Sequence, residues 1–227
     1  MSSRSGQDSS RTRVDPELLR FTGRIAGLGS TSGVRIVVGF WPSSPWGGFA
    51  DLMVEEPGGH RVLLAPDDRV SDLLQQTYVF DEVVIGDVRV IIDHDHWVVS
   101  APGLTVTLTV GGRVGLGWLL RLLPRTVSTS PRWLTMINPI AKLIMKGVQT
   151  RGTARGGRTE YYGAYDLRRI TATQGAWRDL DLGRLAPVDP PVRFGFGSSP
   201  RQPSVTDMVT TIRLPPANAA ETPARIG

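Results

Sequence analysis

Four stretches of this 227-residue chain hold residue types that could do chemistry. Asp93-His-Asp-His96 is the only cluster with metal-ligand types. In an extended backbone His94 and His96 share one face, a spacing metal sites use, but a third ligand must come from elsewhere and His60 is the only other histidine. A polar hairpin turn between two strands explains the same residues, and no metal or other cofactor is expected. Gly111-Gly-Arg-Val-Gly-Leu-Gly117 lies between a strand pattern and a helix pattern, where backbone N–H groups could receive an anion beside Arg113. It lacks the third glycine of a dinucleotide fingerprint, Leu120 standing in that place, and it lacks the Gly-Lys-Ser/Thr of a phosphate loop, so an ordinary turn is the plainer reading. Arg151-Gly-Thr-Ala-Arg-Gly-Gly-Arg158 could clamp phosphate or lipid head groups through guanidinium forks, or be a solvated loop. Lys142 and Lys146, one helical turn apart, would lower each other's pKa as a Schiff-base lysine requires, although both fall on the polar arc of their helix.

Three of these stretches belong to one basic region. Residues 113–158 contain seven arginines, two lysines and no acidic residue, a local charge of +9. Residues 1–112 carry 9 basic and 14 acidic residues, a net of −5, whereas 113–227 carry 17 and 7, a net of +10. So strong an asymmetry points to an anionic partner or to one positive face. The region also reads as helical. Gly117–Leu123 is an apolar run stopped by Pro124, Ser130-Pro131 and Asn138-Pro139 are helix-start signals, and Ile140, Leu143, Ile144 and Val148 share one arc against Lys142, Lys146 and Gln149. A basic amphipathic helical block over about 113–149 follows. It either lies on an acidic surface, caps an apolar pocket, or packs on the core with its cations in water.

The positioning elements read as β. Arg20–Ala26, Val34–Trp41, Phe49–Glu55, Arg61–Ala65, Thr77–Ile85, Asp87–Ile92, Trp97–Ser100, Leu104–Val110, Thr159–Tyr165, Leu167–Thr173 and Val205–Leu214 alternate or are β-branched and are separated by turn signals. Pro16–Arg20 reads as one helical turn, Gly27–Gly33 as a turn, and Asp67 or Ser71 as the cap of a short helix ending near Gln76. The fold expected is mainly β: an antiparallel barrel or sandwich with the helical block inserted. Its single domain spans 16–214 between tails, 1–15 and 215–227, that read as disordered. Asp81 and Glu82 are adjacent and point to opposite sides of a strand, so they cannot act as a pair. Tyr161, Tyr162 and Tyr165 beside Glu160 and Asp166 could line a pocket or pack the core.

Composition excludes several classes. The chain has no cysteine, which removes disulfides, thiolate catalysis and cysteine zinc sites. A Gly-x-Ser-x-Gly elbow is absent. The N-terminus lacks the apolar core of a secretory signal, no run reaches the length of a membrane span, and a cytoplasmic protein is expected. Nucleic acid is a poor fit, since no recognised binding motif is present.

Thr77-Tyr-Val-Phe-Asp-Glu-Val83, Glu160-Tyr-Tyr-Gly-Ala-Tyr-Asp166 and Pro190-Pro-Val-Arg-Phe-Gly-Phe-Gly-Ser-Ser-Pro200 resemble segments of an uncharacterised protein family from high-GC actinobacteria. The resemblance spans most of the chain between the tails and agrees with 24 arginines against two lysines. It carries no assigned activity, and no site residue follows from it.

The function expected is non-enzymatic binding of an apolar or anionic, lipid-like ligand, or of an acidic membrane surface. Trp118 and Trp133 would stand at the apolar–polar boundary, with Arg113, Arg121, Arg125, Arg132, Lys142 and Lys146 facing acidic groups. The alternatives are an enzyme that positions a small anionic substrate in a barrel mouth with Arg151, Arg155 or Arg158, and a structural or partner-binding protein.

Overall fold

A computed structural model describes residues 18–122, 151–153, 159–195 and 199–213. Among these residues thirteen strands and two helices follow in the order β1 (Leu18–Ser30), β2 (Arg35–Ser43), β3 (Phe49–Glu55), β4 (Arg61–Ala65), α1 (Asp68–Gln75), β5 (Glu82–Ile85), β6 (Arg89–Asp93), β7 (His96–Ala101), β8 (Leu104–Arg113), α2 (Gly115–Leu122), β9 (Arg151–Thr153), β10 (Thr159–Trp177), β11 (Leu180–Asp181), β12 (Leu185–Ala186) and β13 (Ser204–Arg213). The protein is mainly β. Between barrel and sandwich it takes the barrel side: one sheet of order β5-β4-β3-β2-β1-β13-β10-β8-β7-β6, strongly curled into a half-barrel. The short strands β9 and β11 pair with β10, and β12 pairs with β1.

The period-two alternation decides which side chains meet. Ile36 and Val38 of β2, Leu52 and Val54 of β3, and Val62 and Leu64 of β4 join Trp97 and Val99 of β7 and Val106 and Leu108 of β8 in one buried cluster. These strands lie on opposite arms of the sheet, and their side chains can only converge inside its curl. Phe40 and Trp97 bridge the arms edge to face, with ring centroids 6.3 Å apart. The intervening positions form the other face. There Met53, Leu63 and Ala65 pack under Val70 of α1 and under Val188, Val192 and Phe194, while Phe21, Trp41, Met208 and Ile212 form a neighbouring cluster.

Several sequence expectations are corrected. The pairing is antiparallel except between β4 and β5, which run parallel because α1 carries the chain back across the sheet. Of the two expected caps it is Asp67 that caps α1, its Oδ1 accepting the Val70 N–H at 2.9 Å, so that expectation stands. Leu18–Arg20 open β1 rather than forming a helical turn, since β13 is alongside to pair them. Gly27–Ser30 continue that strand, and the turn is confined to residues 31–33. These glycines serve close approach instead: a Cβ on Gly29 would lie 2.3 Å from the Pro187 carbonyl oxygen. Of Thr77–Ile85 only Glu82–Ile85 is a strand; Tyr78 makes an isolated bridge to Gly195, and the aromatic segment covers the sheet instead of joining it. Thr159–Tyr165 and Leu167–Thr173 are one strand, β10, interrupted by a register shift between Ala164 and Asp166.

The tails and most of the helical block lie outside the described residues. Of that block, Gly115–Leu122 is helix. Among the described residues no helix is long and apolar enough to cross a membrane.

Candidate functional site

The register shift in β10 sets up the joint on which α2 rests. Asp166, next to that irregularity, is buried, and both of its carboxylate oxygens accept from Arg113 Nε, at 3.0 and 2.9 Å. The Leu167 N–H also donates to Asp166, at 2.9 Å, and Val114 N–H donates to the Leu167 carbonyl at 3.2 Å. The Arg113 guanidinium lies 5.3 Å from the centre of the Trp118 ring. Gly117 brings the helix onto the strand, for a Cβ there would meet the Leu167 carbonyl oxygen at 2.2 Å. Arg113 and Trp118 are therefore brought together as structural partners. The cation expected to serve an anion at the glycine-rich loop is committed to Asp166. Arg113→Ala should cost about 1–3 kcal/mol, the desolvation penalty of a buried carboxylate left with only the Leu167 N–H as donor. Urea unfolding measures it; a change below a few tenths would mean the joint does not hold α2.

Beyond this joint lies a half-open cleft of about 610 Å³. Val114, Leu167, Ile170 and Leu185 give it apolar walls, and Arg169, Gln202 and Ser204 add polar groups. Arg169 and Ser204 are register partners on β10 and β13, so their side chains stand side by side. Arg169 is exposed and makes no ion pair among the described residues. Ser204 is 4% exposed, yet its hydroxyl has no hydrogen-bond partner among the described residues. An apolar cleft edged by an exposed cation with no ion pair among the described residues can receive an acid group on an apolar body.

The helix itself is solvent-facing. Trp118, Leu119 and Leu122 are 61%, 58% and 79% exposed, and Arg121 is exposed among them. The remaining expected site residues are not brought into the cleft by anything described. Arg151 opens β9, which pairs with β10, and only its backbone is described. Arg125, Arg132, Trp133, Lys142, Lys146, Arg155 and Arg158 lie outside the described residues.

The other candidate chemistry resolves into local pairings. Asp93–His96 is the β6–β7 hairpin turn: His94 adopts φ 53°, Asp93 and His94 lie 2.7 Å apart, and His96 is 3.5 Å from Asp95. No group of three or more metal-ligand residues converges among the described residues. Asp81 is gripped by Arg61 through two side-chain bonds and a backbone N–H, which holds its carboxyl well below the usual range. Glu82 turns instead to Arg178 at 2.6 Å and His60 at 3.1 Å, which lower its pKa. The two carboxylates do not act as a pair.

Glu160 and Tyr162 occupy the covered face of the sheet. Tyr162 donates to Glu160 Oε2 at 2.6 Å, Thr77 donates to Oε1, and the Tyr78 and Tyr162 hydroxyls are 2.8 Å apart. Burial first, then the neighbouring carboxylate and hydroxyl, pushes the Tyr162 phenol well above its ordinary value. Nearby, Asp51 accepts the Trp41 indole N–H at 2.8 Å. Tyr161 is buried beneath the Arg213 guanidinium, 5.8 Å from its ring centre.

Sequence reasoning missed Arg169, Gln202 and Ser204. One signal was present, since adjacent Arg168 and Arg169 in a β run must face opposite ways and one of them must meet the interior. Arg169 itself reads as an ordinary exposed strand residue, and only the pairing with β13 sets it beside Ser204. Comparison with family models, with curated proteins and with solved structures finds no match to this chain.

Proposed function

We propose that this protein binds, without transforming it, an amphipathic ligand with an anionic head and an apolar body, in the cleft between β10, β12 and the start of α2. The observation that carries this reading is the pairing of apolar walls with Arg169, which makes no ion pair among the described residues. The apolar body would lie on Val114, Leu167, Ile170 and Leu185, and the acid group would meet the Arg169 guanidinium. Arg suits this task because its fork matches a carboxylate or phosphate and keeps its charge.

Titration with an anionic fluorescent fatty acid tests the proposal. Saturable binding is expected, weakened about tenfold or more by Arg169→Ala, since a hydrogen bond to a charged group contributes about 1.5–3 kcal/mol. Leu185→Trp, which fills the cleft from a partly exposed position, should abolish it. Absence of saturable binding, or an affinity indifferent to both variants, would overturn the reading.

The exposed face of α2 favours a second mode, in which the protein on the cytoplasmic side touches an acidic bilayer. Trp118, Leu119 and Leu122 would enter the interface and Arg121 would meet head groups. Sedimentation with acidic and neutral vesicles at low salt separates the modes. Equally small binding to both would remove the bilayer.

A further inference from the structure

Among the described residues the curled sheet ends in two unpaired edges, β5 and β6, and the β6 edge has an unusual sequence. Among the described residues β6 pairs only with β7. The two-residue turn makes Asp93 and His96 a hydrogen-bonded pair, so Asp93, Ile91 and Arg89 direct their backbone groups to β7. Val90 and Ile92 therefore present their N–H and C=O groups at the open edge, and no backbone hydrogen bond from a described turn or loop reaches them. Their side chains pack against the core, while Arg89, Ile91 and Asp93 are exposed on the opposite face, Ile91 at 63%. Opposite Ile91 on β7 stands Val98, 41% exposed. Unpaired edges of this kind are usually blocked by charge or covered.

Here the charges complement a second copy of the same strand. In an antiparallel pair with its two-fold axis at Ile91, Arg89 faces Asp93 of the other copy, Val90 faces Ile92, and Ile91 faces Ile91. Both charge pairs then match, and the outer face carries an unbroken apolar stripe Val98–Ile91–Ile91–Val98. Parallel in-register pairing would set Arg89 against Arg89 and Asp93 against Asp93. The free edge of β5 offers no such complement, because two-fold pairing sets Glu82 opposite Ile85. We propose that two copies of this chain associate through β6, with Val90 and Ile92 making the inter-chain backbone bonds and Arg89–Asp93 fixing direction and register.

The contact is short. Arg89 already has an exposed intrachain partner in Asp87, and Asp93 has one in His94. The charges therefore supply register more than affinity, and a single five-residue edge buries less than the roughly 1,200 Å² of a stable interface. A weak, concentration-dependent dimer is expected.

Sedimentation equilibrium of the full chain, from micromolar to near-millimolar concentration, tests this with variants at exposed positions, each checked for its fold by circular dichroism. Ile91→Lys, which brings two ammonium groups together at the axis, should abolish association. Arg89→Asp and Asp93→Arg should each weaken it several-fold, and the double variant, which restores opposite charges in reversed order, should recover it. A monomer across the whole range would overturn the proposal. So would a dimer indifferent to Ile91→Lys, or a double variant no better than the single ones.

Discussion

Replacing Glu55 by alanine lowers the free energy of unfolding by about 3–5 kcal/mol, the cost of leaving a buried charge without its partner. Glu55 has no exposed surface, and the Arg35 side chain is 7% exposed. Arg35 Nη2 lies 3.1 Å from Glu55 Oε1, and its Nη1 donates to the Pro190 carbonyl at 2.9 Å. The Arg193 backbone N–H and Nε donate to the same carboxylate at 2.7 and 3.0 Å. The carboxylate thus ties β2 and β3 to the segment that covers them. Without it the Arg35 guanidinium stays where water cannot reach. Arg193, 66% exposed, returns to solvent at little cost, so Arg193→Ala should change stability by less than about 1 kcal/mol. Removing both buried charges together as Arg35→Met with Glu55→Leu should cost less than Glu55→Ala alone, since no orphaned ion remains. Urea unfolding of the four proteins decides it. Equal losses for Glu55→Ala and the double variant would mean that packing, not charge, dominates here.

Asp51 should make the protein lose stability as pH rises from about 4 to about 6. Its carboxyl is 3% exposed, and burial pushes it from 3.8 up to about 6, only partly offset by the Trp41 indole N–H. Between those two values the folded state keeps a proton that the unfolded state has released. Folding is therefore favoured at the acid end of the window and is progressively penalised toward pH 6, after which the penalty is constant. At about 1.4 kcal/mol per tenfold change the full penalty is roughly 3 kcal/mol. Asp51→Asn carries no such charge and should be the more stable protein at pH 8, with the advantage gone near pH 4. The measured quantity is the difference in urea midpoint between the two proteins across pH. Taking a difference removes the opposite acid response of Asp81 and Glu82, whose pKa values are lowered by their partners. A difference that does not vary with pH would show that Asp51 is ionised at no cost.

Local signals were legible wherever one short segment decides its own conformation. The strict alternation of Leu104–Val110 is β8, with alternate positions buried as expected; Ala101-Pro-Gly103 is a turn; Asp67 is a helix cap; Asp93–His96 is a hairpin turn. Signals with two physical meanings were misread. Gly27 and Gly29 permit a turn or a close approach, and here it is the approach of Ser199 and Pro187 that requires them. Tyr78 and Phe80 suit a strand or a covering segment, and the choice depends on the Phe194 region more than a hundred residues later. The candidate site was less legible still. Leu167 and Leu185 come from separate strands, and Ser204 meets Arg169 only through the β10–β13 register. The buried Glu55 carboxylate joins partners 20 and 138 residues away along the chain. The expected cluster of cations over 113–158 had a firm compositional basis, but its first member, Arg113, belongs to the scaffold.

The position of β13 has a consequence for how the molecule is made. Residues 18–85 supply one arm of the sheet and 89–177 the other, and among the described residues β13 alone joins them, pairing β1 on one side and β10 on the other. While the chain is being synthesised, the hairpins of each arm can close, but both arms carry a bare edge until residues 204–213 have left the ribosome. Among the described residues no earlier strand pairs both edges, so closing the sheet waits for β13, and its loop closures span most of the described chain. Refolding in the millisecond-to-second range is expected, as for other sheets dominated by distant pairings. A chain stopped before Ser204 should expose two unsatisfied strands and aggregate, although it retains nearly every hydrophobic residue of the core.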